Sequence, residues 1–209
     1  MELDPRTTAI VAVHCQGDVV GPNGALAGAF YEQVQLRNIV GRIADLLDAG
    51  REAGCTTICT RIAFAPDYSD VLANSPILAD IPVLGCMKDG SEAAKIVDDV
   101  RMQPTDIVLT HQRVGGFTER MSLELTARGI TTILFCGVAT NVSLESTARA
   151  ATDLGYRVVV VEDACSAATL EIHNAAVASL GALATITTID EVTGALKKPA
   201  GLRSVHQTN

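Results

Sequence analysis

The chain has 209 residues, of which 48% are hydrophobic but only 3% aromatic, with no Trp, so Val, Ile, Leu and Ala must fill the core. That palette suits buried parallel strands with helices on both faces. Twenty-four acidic against sixteen basic residues give a net charge of −8 without a basic stripe. This argues against nucleic acid as a partner and leaves room for a small-molecule substrate. The acidic start, Met1 to Pro5, reads as neither a secretion signal nor a membrane anchor. Six cysteines without a CxxC pair read as free thiols, so a cytoplasmic location is expected.

Short β-branched runs alternate with helical stretches along the chain. The first predicted strand is Thr8–Val13, followed by a helix over 31–53 and a second strand at Thr56–Ile62. Cys55 and Cys59 lie four apart on this extended segment, roughly 13 Å at ~3.3 Å per residue, too far to bridge. Residues 63–90, with Pro66, Pro76 and Pro82, read as a long loop of the kind that often carries function. Then come a helix over 92–101, a strand over 106–110, a helix over 118–128 and a strand over 132–136. A helix over 142–154, a strand over 157–161, a helix over 170–183 and a strand over 184–189 complete the series, and 204–209 reads as a loose tail. Gly54, Gly129 and Gly155 stand where left-handed helix C-caps are wanted. Strand–helix alternation predicts a three-layer α/β/α, Rossmann-like fold around a six-stranded, mainly parallel sheet. We expect a single domain over 1–209 with its core at about 7–190.

Polar residues gather just after the strands: His14, then 61–64, His111, 137–143 and Glu162-Asp163. The C-terminal strand ends of an open α/β sheet are where ligands bind, which places the site. Neither GxGxxG after the first strand nor a Walker A pattern occurs, so no cofactor is expected.

The run Gly137-Val138-Ala139-Thr140-Asn141-Val142-Ser143-Leu144-Glu145-Ser146-Thr147-Ala148-Arg149 resembles the signature of the isochorismatase-like (cysteine hydrolase) superfamily. Gln16 and Asp18 after the first strand, Arg113 and Phe117 after the third, and Glu162-Asp163-Ala164 resemble its flanking motifs. The resemblance covers about 7–190. It implies an Asp–Lys–Cys triad in which a thiolate attacks a carbonyl and backbone N–H groups receive the oxyanion. Here the three positions hold His14, His111 and Ser143 instead. Cys15 and Cys136, near the site in sequence, read as buried thiols, and His173 as a surface or helix-packing residue.

The reading that follows is a hydrolase of a small amide, ester or enol ether with a rewired site. Ser143 would attack, His14 would be the base and His111 an acid or clamp, with Ala139 and Ser143 as the oxyanion hole. Arg61 and Phe64, opening the long loop, are candidates for a carboxylate and an apolar ring. Gln16, Phe117 and Val138 complete the expected substrate-binding set. Two alternatives stand beside this: a lyase or isomerase using the histidines as acid and base, and an inactive family member that binds a ligand or partner. No metal is expected, although His14, His111 and Asp18 are ligand types, because the comparable loop at 66–70 lacks the D-x-H pattern of nicotinamidases. The resemblance and a mean hydropathy of +0.28 imply a homodimer or homotetramer.

Overall fold

The structure is a computed structural model describing residues 1–197; the predicted tail at 204–209 lies outside the described residues. Six strands, β1 (Thr8–Val13), β2 (Thr56–Ile62), β3 (Ile107–His111), β4 (Thr132–Val138), β5 (Arg157–Ser166) and β6 (Thr185–Thr187), form one sheet. Their order is β3-β2-β1-β4-β5-β6 and every pairing is parallel. The central strands β1 and β4 are buried at every position, as strands covered on both faces must be.

Helices α1 (Gly17–Val20), α2 (Ala27–Leu36), α3 (Ile39–Ala53), α4 (Pro76–Leu84), α5 (Glu119–Ala127), α6 (Glu145–Asp153), α7 (Leu170–Leu180) and α8 (Ile189–Leu196) flank the sheet. This is the α/β fold that the alternation predicts. Strand order runs outward from β1 to β3 and then, on the other side, from β4 to β6. The reversal between β1 and β4 opens a crevice at their C-terminal ends. His14 follows one of these strands and the Ala139–Ser143 segment the other.

Several elements differ from the sequence reading. The helix predicted over 31–53 is two helices, because Asn38 adopts a left-handed backbone (φ 49°) between α2 and α3. Asparagine tolerates that conformation better than most residues. The helix predicted over 92–101 is absent apart from one short turn at Asp98–Val100. Its backbone pairs instead with the chain after β1: Gly17 N–H donates to Lys95 O (3.0 Å) and Val97 N–H to Cys15 O (2.9 Å). The predicted loop at 63–90 contains α4, which starts with Pro76 in its first turn and stops at left-handed Gly85.

All six cysteines are buried free thiols. Burial raises Cys15 to about 12 and Cys55 and Cys86 to about 11, so none is a ready thiolate near neutral pH.

Gly137 ties the sheet to the site. It lies opposite Val13 in the β1–β4 register, with φ 122°. A Cβ there would stand 2.2 Å from the Val13 carbonyl oxygen. Both the backbone angle and the space demand glycine. We predict that Gly137→Ala lowers unfolding free energy by roughly 2–4 kcal/mol, read as a shifted urea midpoint.

Candidate active site

β1 delivers His14 in a left-handed backbone (φ 52°), held by its N–H donating to Thr60 O at 3.1 Å. Such a conformation is costly for a side chain and persists only where its surroundings fix it. β3 ends on His111. The two rings meet Nε2 to Nε2 at 3.0 Å, their centroids 5.0 Å apart. Both are buried, 5% and 3% exposed. Burial holds His14 well below the ordinary histidine value, with the neighbouring His111 adding to the fall. Burial likewise lowers His111 to about 4, partly opposed by the Arg113 backbone. The pair is therefore neutral at pH 7.

Of the two facing Nε2 atoms one donates across the 3.0 Å contact and the other accepts, according to the tautomer each ring holds. His111 Nδ1 is sealed from solvent and makes no hydrogen bond. The tautomer in which His14 Nε2–H donates leaves His14 Nδ1, on a ring that lines the cavity described below, as an acceptor. Gly116 makes room for the pair, since a Cβ there would stand 3.1 Å from His111 Nε2.

β4 leads through Val138 and Ala139 into a wide π-type turn, Thr140–Leu144, that runs into α6. The Ser143 hydroxyl donates to Val138 O (3.1 Å) and accepts from Ala139 N–H (3.1 Å). Beneath this turn the Thr140 hydroxyl donates to Ser166 O (2.9 Å). Its proton is thus used, and His173 Nδ1–H must donate to Thr140 Oγ1 at 2.9 Å. His173 is only 1% exposed: it is a buried brace under the signature turn rather than a surface residue. Its Nε2 stands 3.4 Å from Glu162, which Arg37 also meets at 3.4 Å.

His14, Val138, Ala139 and Ser143 line one cavity of about 50 Å³. His111 does not line it but meets His14 ring to ring, so His14 stands between His111 and the cavity that it shares with Ser143. The remaining wall is apolar and includes Leu26, Phe30 and Met87 with Ile77, Leu78 and Ile81 of α4. Sequence reasoning missed this wall. The Ser75-Pro76 start and the apolar spacing 77, 78, 81 were the signal for α4.

The other expected substrate contacts lie elsewhere. The Gln16 amide donates to Ile62 O (2.8 Å) and Ala94 O (2.9 Å) and accepts from Ile62 N–H (2.8 Å), pinning three segments together. Arg61 donates to the Thr110 hydroxyl (2.9 Å) and pairs with Asp89 (2.6 Å). Phe64 is fully buried in the core, and Phe117 packs on Tyr156 with ring centroids 5.7 Å apart. Of that set, Val138 alone lines the cavity. Asp18 accepts from Met87 N–H (2.7 Å) and Ala25 N–H (3.4 Å), ordering the loops around it. Among the described residues no three His, Cys, Asp or Glu side chains cluster as a metal site.

A family model described as the isochorismatase domain matches residues 8–191. The chain belongs to the isochorismatase family. It is 30% identical to an uncharacterized isochorismatase family protein, YecD, of Escherichia coli, covering 94% of this chain and 100% of that one. It is 33% identical to the ureidoacrylate amidohydrolase RutB of Methylobacterium radiotolerans over 85% of this chain and 74% of that one. Among solved structures, an isochorismatase family protein from Burkholderia thailandensis superposes with a TM-score of 0.77 at 29% identity, covering 94% of this chain and 98% of that one. A cysteine hydrolase from Pseudomonas syringae pv. phaseolicola shares the fold, with a TM-score of 0.84 at 22% identity over 94% of this chain and 95% of that one.

The buried pair within this isochorismatase fold has a measurable consequence. Between pH 6.5 and about 4 the unfolded chain binds protons that folded His111 refuses. Stability therefore rises with pH across that window and is lost as pH falls through it. His111 alone accounts for about 3 kcal/mol at most. Urea midpoints measured at pH 7 and 4.5 should fall apart in wild type and draw closer in His111→Gln.

Proposed function

We propose that the chain is an isochorismatase-family hydrolase of a small amide, ester or enol ether, with His14 as base and Ser143 as nucleophile. What carries this reading is that His14, Ser143 and the Ala139 backbone line one cavity, with His14 neutral and backed by His111. For an amide or ester, the Ser143 oxygen forms a bond to the carbonyl carbon while His14 takes the hydroxyl proton. The C–N or C–O bond then breaks, and the leaving group departs with that proton. Water attacks the acyl-serine in the same way, releasing the acid and restoring Ser143.

The Ser143 oxygen accepts from Ala139 N–H. Turning the hydroxyl from Val138 O towards His14 frees that N–H for the oxyanion, joined by the Ser143 N–H. His111 steadies the imidazolium that His14 becomes. One observation favours a second reading, a family member that binds without turnover: no hydrogen bond joins Ser143 to either histidine among the described residues. A lyase or isomerase would use the histidine pair without Ser143.

A small dialkyl fluorophosphate separates these readings without a known substrate. Nucleophilic Ser143 forms an O–P bond and expels fluoride, adding one dialkylphosphoryl mass to the peptide containing it. Labelling should be lost in Ser143→Ala and slowed about 100-fold or more in His14→Ala. An unlabelled wild-type Ser143 would exclude covalent serine catalysis.

We also propose a cytoplasmic, single-domain protein that self-associates. No helix among the described residues is long and apolar enough to cross a membrane. Support for self-association comes from α4, where Val83 is 84% and Leu84 48% exposed. Sedimentation should give a multiple of the 21.9 kDa chain mass, and Val83→Glu should shift it towards the monomer.

A further inference from the structure

The cavity beside His14 and Ser143 contains no charge. Its other lining side chains are hydrocarbon or thioether, among them Leu26, Phe30, Ile77, Ile81 and Met87. The two histidines are neutral because they are buried. Four cations near the site in sequence serve elsewhere. Arg61 pairs with Asp89, Lys88 lies over the Tyr68 ring at 5.1 Å, and Arg113 donates to the Gln112 carbonyl. Arg37 is held by Glu162. None of these four lines the cavity.

An anion placed here would lose its water and gain no counter-charge, at a cost of several kcal/mol. The Ala139 N–H, the donor that could greet an anion, is the one the oxyanion requires. Size narrows the choice further. A water-sized group needs roughly 10–15 Å³ of such space. The cavity of about 50 Å³ is a few times that, room for a short aliphatic chain rather than a substituted ring.

We infer that this site selects a neutral, short-chain aliphatic acyl group and rejects acyl groups that carry a carboxylate. The inference rests on the hydrolase reading for the reaction but on the cavity wall alone for the preference. It sets the chain apart from a relative such as the ureidoacrylate amidohydrolase, whose name specifies an acrylate.

Isovaleramide and malonamate form a matched pair, equal in heavy-atom number, with isopropyl in one where the other has a carboxylate. Ligand-observed NMR titration of wild-type protein reads binding, and ammonia release reads hydrolysis. Isovaleramide should bind at least about tenfold more tightly. Ile77→Arg places a guanidinium at the cavity rim, where the native side chain is 42% exposed, and should raise relative malonamate affinity about tenfold. Circular dichroism confirms that this variant is folded.

Isovaleramide bound but not hydrolysed would uphold the preference and count against the hydrolase reading. Malonamate bound as tightly as isovaleramide, or neither bound, would overturn the preference. Hydrolysis of malonamate would do so while leaving the hydrolase reading intact. An unchanged preference in folded Ile77→Arg would place the ligand outside the cavity and overturn the inference as well.

Discussion

Two imidazoles 3.0 Å apart and shut away from water can share one proton between their facing nitrogens, but they cannot both be cations. This constraint organises the site. With an aspartate and a lysine at the two positions, opposite charges would face each other and call for polar surroundings. A neutral pair makes no such demand, so the wall around it can be aliphatic, and it is. The apolar cavity and the neutral histidine pair are thus one feature seen from two sides. Burial lowers the pKa values, and the lowered pKa values make burial tolerable.

The pair keeps its geometry because the chain around it is pinned by side chains that bond to the backbone and do not line the cavity. Gln16 bonds to the backbone of Ile62 and Ala94, fixing the exit of β1 against β2 and the segment beyond α4. Asp18 fixes the Met87 and Ala25 backbone. On the far side of the cavity Thr140 is tied to Ser166 and His173, so the Ser143 turn rests on β5 and α7. Most of these ties join segments distant in sequence. Loss of any of them would loosen the cavity without touching it.

The strands were legible in the sequence because buried parallel strands are runs of β-branched residues that few other structures can use. The site's location was legible for a related reason: polar residues gather after the strands, at the C-terminal sheet edge where open α/β sheets bind ligands. Helix α4 was hidden by Pro76 and Pro82, which read as breakers although a first-turn proline is compatible with a helix. The absent helix over 92–101 was a misreading of a different kind, since local propensity lost to pairing with the chain after β1. Arg61 and Gln16 looked like ligand contacts because a polar side chain after a strand can face either the crevice or the neighbouring backbone, and sequence does not encode which. The cavity wall was least legible of all, because its residues come from five separate segments and each looks like ordinary core.

The buried thiols bear on oxidative chemistry. A hydrolase that depends on a thiolate carries its own point of failure, since peroxide converts the nucleophile to a sulfenic acid and stops turnover. Here the position holds Ser143, which has no comparable oxidation chemistry. The thiol next to His14, Cys15, is enclosed and raised to about 12. On the reading proposed above, an oxidant that silences a thiolate nucleophile would leave the chemistry of Ser143 in place.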